Sequence, residues 1–224
     1  MYIRNSDLNV KPEHREAYLK ALTEHARSAK RGVAIRFDVM QTLADPNRIM
    51  TIEAYADKTA WQRQDSVSDL ATVTRGWVTP GKNPLSEALN VEPTDQEWDT
   101  ADEGALPRWA TYGPLYIHNS WTYAFPGKGA LLLQLLVEEV RLAKQMERGM
   151  MRFDIYQNLE NPGLLHAYEV YADKEAHLFH YEQTYLKEFY KVGVPLYDRT
   201  RGDPVIECRP LEPSESEWRW PSRI

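Results

Sequence analysis

The segment Glu53-Ala54-Tyr55-Ala56-Asp57-Lys58 returns later in the chain as Glu169-Val170-Tyr171-Ala172-Asp173-Lys174. The surrounding stretches return in the same order. Tyr2-Ile3-Arg4-Asn5-Ser6 matches Tyr116-Ile117-His118-Asn119-Ser120, and Arg36-Phe37-Asp38 matches Arg152-Phe153-Asp154. The spacing between matched residues drifts by only a few positions along the chain. Such a long-period match indicates a tandem duplication, so both halves are expected to adopt the same fold.

Each half predicts the same order of elements, β-α-β-β-α-β. Strand patterns alternate or are rich in aromatic and β-branched residues, and each first helix follows a proline, Pro12 or Pro126. A second helix of about fifteen residues or more should begin near Lys58 and Lys174. The order is that of the ferredoxin-like split unit. We therefore predict an α+β fold with two ferredoxin-like repeats in one chain, their sheets packed into a pseudo-twofold α+β barrel. The predicted boundaries are residues 1–98, a linker at 99–110, and residues 111–224.

The net charge of the chain disfavours two classes of partner. The 224 residues carry a formal net charge of −6, which disfavours nucleic acid or an anionic membrane as the main partner. The first residues resemble a strand rather than a signal peptide, and the apolar run 131–137 is too short to span a bilayer. We expect a cytoplasmic protein. The single cysteine, Cys208, is interpreted as buried filler rather than as a nucleophile.

The chain resembles the antibiotic biosynthesis monooxygenase superfamily. The residues that carry the resemblance are the strand asparagines Asn5 and Asn119, the repeated Glu-x-Tyr-Ala-Asp-Lys segment, and residues 176–180 at the start of a helix. The family implies a dimeric α+β barrel, here fused in tandem, and its chemistry includes cofactor-free oxygenation of quinols and anthrones, heme degradation and isomerisation. Fold is therefore implied more strongly than activity.

The resemblance does not favour a cofactor. In the heme-degrading branch an Asn, a Trp and a His surround the porphyrin, and the matched positions here hold Asn119, His180 and Tyr190. Because the Trp and the His are missing, heme is disfavoured, and no cofactor is predicted. His177 and His180 have helical spacing that two metal ligands could use, but the chain lacks HExxH and a dense Cys/His pattern, so no metal site is predicted.

Histidines concentrate in the second half, which holds four of the six. We interpret this half as the active one, although satisfied core or surface histidines are the alternative explanation. Asn119 and Trp121 alternate on one face of their strand, which we expect to look toward the helices and to meet His180 there. The candidate catalytic residues are His180, Asn119 and Tyr190. The candidate substrate-binding residues are Trp121, His177, Phe179, Tyr185 and His166.

The resemblance implies a cofactor-independent oxygenase that acts on a phenolic, quinol or anthrone-type aromatic together with dioxygen, and these residues are its candidate machinery. His180 would be the base and Asn119 the donor to the oxyanion, with Tyr185 or Tyr190 orienting the ring. Two alternatives remain open: a non-catalytic barrel that binds a small molecule or heme, and an isomerase or decarboxylase. The apolar run 131–137 suggests a helix covered on more than one side, by a ligand pocket, by a second copy in a homodimer, or by both.

Overall fold

The structure is a computed structural model that describes residues 1–81, 86–92, 114–202 and 204–213, so the predicted linker at 99–110 lies outside the described residues. Its main elements in chain order are β1 (Tyr2–Val10), α1 (Arg15–Arg31), β2 (Ala34–Thr42), β3 (Arg48–Tyr55), α2 (Lys58–Ser66), α3 (Leu70–Val73), β4 (Val78–Pro80), β5 (Ser86–Glu92), β6 (Tyr116–Tyr123), α4 (Gly129–Met146), β7 (Met150–Asn158), β8 (Leu164–Tyr171), α5 (Lys174–Glu182), α6 (Thr184–Val192) and β9 (Val205–Glu212).

The chain forms two compact units, and unit 1 comprises Met1–Leu89 and Cys208–Glu215. Its strand order is β5-β1-β3-β2, the order of a ferredoxin-like sheet. The C-terminal part of β9 pairs antiparallel with β2, placing Thr42 opposite Cys208. The last strand of the second repeat therefore extends the sheet of unit 1, an arrangement that the sequence did not predict.

Two ion pairs connect the C-terminal part of β9 to helix α1. The buried Glu212 carboxylate accepts a hydrogen bond from Arg27 Nε at 2.9 Å and another from Lys30 Nζ at 2.5 Å. Both cations lie near the C-terminal end of α1. A buried carboxylate is costly unless it is paired, so these two contacts hold β9 in register beside β2.

Unit 2 comprises Asn90–Glu207 and Ser216–Ile224, and its strand order is β9-β6-β8-β7. Strand β8 is buried along its whole length and pairs antiparallel with β6 on one side and β7 on the other. Trp121 N donates to Pro204 O at 3.1 Å where the chain enters β9. Full burial of a central strand requires cover on both faces of the sheet.

The first helix of each unit packs one stripe of mainly apolar side chains against its sheet. Helix α1 buries Tyr18, Leu22, Ala26 and Ala29, which recur at helical spacing. Helix α4 buries Leu132, Leu136, Glu139, Val140 and Ala143 and leaves Leu131 exposed. Glu139 is the one charged residue in this buried stripe of α4.

The second helix of each repeat is shorter than predicted. In unit 2 Gln183 has an extended backbone (φ −64°, ψ 138°) that separates α5 from α6, and its side chain donates to Phe179 O at 2.9 Å. In unit 1, α2 ends at Ser66, and the single turn of α3 begins at Leu70. The starts are as predicted, because Asp57 and Asp173 accept hydrogen bonds from Ala60 N and Ala176 N, both at 2.8 Å.

The predicted fold class, α+β with two ferredoxin-like repeats in one chain, is confirmed. Among the described residues, no helix combines the length and the apolar character that a membrane span requires.

Candidate functional site

Unit 2 encloses a cavity of about 140 Å³ on the helix-facing side of its sheet. Strands β6, β7 and β8 form its floor, and helices α4, α5 and α6 form its walls. Its lining residues are His118, Ser120, Thr122, Leu136, Glu139, Phe153, Ala167, Glu169, His180, Tyr181, Phe189, Tyr190, Tyr197 and Val205. The walls thus combine buried ionisable groups with aromatic rings, as is common in small-molecule sites.

The expectation that Asn119, Trp121 and His180 share this cavity is wrong. Strand β6 presents His118, Ser120 and Thr122 to the cavity, so Asn119 and Trp121 project from the opposite face of the sheet. The alternation along the strand was predicted correctly, but the face that meets the helices was not.

On that opposite face Asn119, Trp121 and His166 form a buried cluster. Asn119 Oδ1 lies 3.0 Å from His166 Nε2, and the indole of Trp121 stacks on the His166 ring at 4.2 Å. Burial lowers the pKa of His166 to about 3, so the ring is neutral and its Nε2–H can donate to Asn119. These predicted site residues therefore pack together on the side of the sheet away from the cavity.

His180 lies between two carboxylates of unit 2. Its Nδ1 donates to Glu147 Oε1 at 2.8 Å, and its Nε2 lies 3.5 Å from Glu139 Oε1. Burial alone would lower the pKa of His180, but the hydrogen bonds with Glu139 and Glu147 outweigh it and raise the pKa to about 10. His180 is consequently an imidazolium at neutral pH. Tyr185 supports the arrangement, since its hydroxyl donates to Glu147 Oε1.

Glu139 and Glu169 both border the cavity, with opposite pKa shifts. Burial raises the pKa of Glu139 above its ordinary value, in spite of the neighbouring His180. Burial would also raise the pKa of Glu169, but His118 at 3.3 Å, His180 and the hydroxyl of Tyr171 at 2.5 Å stabilise the carboxylate and lower its pKa to about 2. Glu169 therefore stays ionised, whereas Glu139 holds a proton more readily.

His177 is buried beside the cavity without lining it. The rings of Tyr116, His118, Tyr171 and Tyr181 surround it at centroid distances between 4.7 and 5.0 Å. Neither ring nitrogen has a hydrogen-bond partner among the described residues. Burial and the nearby His118 lower the pKa of His177 to about 4, so it is neutral and acts as a packing group.

The remaining candidates divide between the cavity and its surroundings. Tyr190 lines the cavity, and its ring lies 6.4 Å from that of Tyr181. Tyr185 is not among the lining residues and acts through Glu147. Phe179 is exposed on α5 and does not border the cavity.

Glu139, Glu147, Glu169 and His118 were not predicted as site residues. Glu139 left a signal in the sequence, because it occupies a position of the apolar stripe of α4 where a charged residue is costly. Glu169 belongs to the repeated segment, and Glu53 is the matching residue in unit 1. Glu53 accepts a hydrogen bond from the Tyr55 hydroxyl, as Glu169 does from the Tyr171 hydroxyl in unit 2. Glu147 follows the end of α4, and no pattern in the sequence marks it.

Unit 1 contains a cavity of the same volume, about 140 Å³, at the matched position. There Arg4 replaces His118, His25 replaces Glu139, and Gln64 replaces His180. Burial lowers the pKa of His25, so that ring is neutral. The carboxylate–imidazolium pair of unit 2 has no counterpart at these positions in unit 1.

The described residues contain no group of three or more His, Cys, Asp or Glu side chains that could hold a metal ion. This finding agrees with the histidine geometry, because His166 lies on the opposite face of the sheet from the cavity that His118 and His180 line.

The chain matches the family model described as antibiotic biosynthesis monooxygenase over residues 1–65 and 114–192. A comparison with curated proteins finds no match. Among solved structures, a proposed monooxygenase of Fusobacterium nucleatum superposes with a TM-score of 0.75 at 14% identity, covering 94% of this chain and 92% of that one. A proposed monooxygenase of Lactobacillus acidophilus gives 0.74 at 15% identity, covering 93% of each chain.

An anthrone oxidase-like protein superposes with a TM-score of 0.62 at 11% identity, covering 94% of this chain and 92% of that one. Likenesses at such low identity establish the fold alone. The family model matches both repeats and more than half of the chain. The chain therefore belongs to the antibiotic biosynthesis monooxygenase family, as a protein that carries two copies of the domain.

Proposed function

We propose that this protein is a cofactor-independent oxygenase that oxidises a single-ring phenol or quinol in the cavity of unit 2. The observation that carries the proposal is the buried pair of Glu139 and His180, which face the same cavity with a carboxylate and an imidazolium. Membership of a monooxygenase family supports the class of reaction.

The cavity of unit 2 has room for one aromatic ring. Its volume of about 140 Å³ is close to that of an apolar cavity of about 150 Å³ that is known to hold benzene. Three fused rings, as in an anthrone, exceed this volume, and a porphyrin exceeds it further. The walls suit a ring, since Phe153, Phe189 and Tyr190 line the cavity.

The charges of Glu139 and His180 suggest that Glu139, and not His180 as expected, is the base. With a pKa of about 10, His180 already carries its proton at neutral pH and is a poor base. Glu139, whose pKa is raised by burial, is the better base for a phenolic proton. Its Oε2 has no hydrogen-bond partner among the described residues. The imidazolium of His180 then stabilises the phenolate that forms beside it.

The phenolate supplies the electrons that reduce dioxygen. One electron passes from the anion to dioxygen, and the two radicals join in a carbon–oxygen bond that becomes a hydroperoxide after protonation. Loss of the proton on that carbon, with cleavage of the oxygen–oxygen bond, releases water and leaves a carbonyl. For hydroquinone the sum is hydroquinone plus dioxygen giving hydroxybenzoquinone plus water. The ring provides all four electrons, so no external reductant is needed.

Oxygen uptake with a panel of hydroquinones and phenols tests this proposal. We expect Glu139→Gln to lower kcat by about a hundredfold or more, the usual scale of general-base catalysis. Glu138→Gln is the matched control, because Glu138 is the exposed neighbour of Glu139 on α4. Full activity of Glu139→Gln, or no oxygen uptake by the wild type with any compound, would overturn the proposal. Product formation under nitrogen would instead indicate an isomerase or decarboxylase.

A further inference from the structure

Three of the residues that line the cavity of unit 2 are also exposed to solvent. Tyr181 and Tyr190 are each 39% exposed, and Val205 is 50% exposed. A residue that borders a cavity and solvent at once lies where the cavity opens. The opening of the unit 2 cavity is therefore rimmed by two aromatic rings and an aliphatic side chain.

Two described positions of unit 1, Asp65 and Thr74, match Tyr181 and Tyr190 and carry no aromatic ring. Asp65 lines the unit 1 cavity where Tyr181 lines that of unit 2, and it is exposed. Thr74, at the position of Tyr190, is buried, and its hydroxyl donates to Leu70 O at 2.8 Å. At these two positions, only the unit that holds the Glu139–His180 pair has aromatic side chains.

Apolar side chains that cluster on the surface can mark a ligand-binding groove. The cavity itself takes one ring, so a substituent on that ring has to leave through the opening, across Tyr181, Tyr190 and Val205. We propose that the ligand of unit 2 is a single-ring phenol or quinol with an apolar substituent, which lies over these three side chains. The inference takes the class of ring from the proposed function and adds the substituent.

The expected gain in affinity follows from the area that is covered. A methylene group removed completely from water improves a dissociation constant by up to about fourfold. On a rim that stays partly exposed, about half of that free energy, or about twofold per methylene, is a reasonable expectation. A propyl group should therefore lower the dissociation constant by about eightfold.

Calorimetric titration under nitrogen, with hydroquinone and propylhydroquinone, measures this preference without turnover. We expect Val205→Asn to at least halve the preference for the propyl compound, and Tyr190→Ser to reduce it as a second variant. Val192→Asn is the matched control, since Val192 has a similar exposure of 55% in the same unit but does not line the cavity.

Equal dissociation constants for the two compounds, or no binding of either, would overturn the inference. So would a preference that survives both Val205→Asn and Tyr190→Ser, because the substituent would then lie elsewhere. The binding test and the oxygen-uptake test of the proposed function can fail independently of each other. A preference for the propyl compound without oxygen uptake would sustain the ligand class and refute the oxygenase, and uptake without preference would do the reverse.

Discussion

Glu147→Gln should change how the stability of unit 2 depends on pH. His180 has a pKa of about 10 in the folded chain against about 6.5 in an unfolded one. Because the folded value is the higher, the stabilisation is complete below pH 6.5 and is lost as the pH rises through 10. The two values correspond to on the order of 5 kcal/mol. Glu147 and Glu139 are the two carboxylates next to the ring, so about half of it should depend on Glu147.

Urea unfolding followed by circular dichroism between pH 6 and pH 10 measures this effect. At pH 6 we expect Glu147→Gln to be less stable than the wild type by about 2 kcal/mol, with the difference shrinking as the pH approaches 10. Gln keeps the size of the side chain and a hydrogen-bonding oxygen, so packing changes little. Glu138→Gln, an exposed change on the same helix, should match the wild type throughout. A difference between Glu147→Gln and the wild type that stays constant with pH would refute the protonated state of His180.

Three further changes test the fold. Asp173→Ala removes the side chain that accepts from Ala176 N at 2.8 Å, and should destabilise the protein by about 1 kcal/mol in urea unfolding. Arg48→Met removes two hydrogen bonds, of 2.8 and 2.6 Å, from Arg48 to the buried Asp7 carboxylate, and should cost on the order of 3 kcal/mol, which thermal unfolding would show as a lower Tm. Gly127→Ala places a side chain at φ 75°, where no other atom lies close, so it should cost only about 1 kcal/mol of backbone strain in the same assay.

Most of the fold could be predicted from the sequence because it depends on periodic patterns. The first helices follow Pro12 and Pro126, and the second helices begin at Lys58 and Lys174, as the patterns predicted. The break at Gln183 escaped prediction, since glutamine is compatible with a helix and only its extended backbone ends α5. The pairing of β9 with β2 also escaped, because the sequence of a strand does not name its neighbour.

The site was harder to predict than the fold. A period of two separates Asn119 and Trp121 from His118 and Ser120, but it does not say which set meets the helices. His180 lines the helix-facing cavity, and its charge depends on Glu139 and Glu147, which are distant from it in sequence. Protonation of a buried histidine is a property of its neighbours, so a residue-by-residue interpretation assigned it the role of base.

Turnover of hydroquinone under isotopically labelled dioxygen tests the central claim most directly. If the cavity of unit 2 carries out the proposed reaction, mass spectrometry of the wild-type product will find one labelled oxygen atom in hydroxybenzoquinone, and Glu139→Gln will form almost none of it. A hydroxylated product whose new oxygen comes from water, or labelled product formed equally by Glu139→Gln, would contradict it.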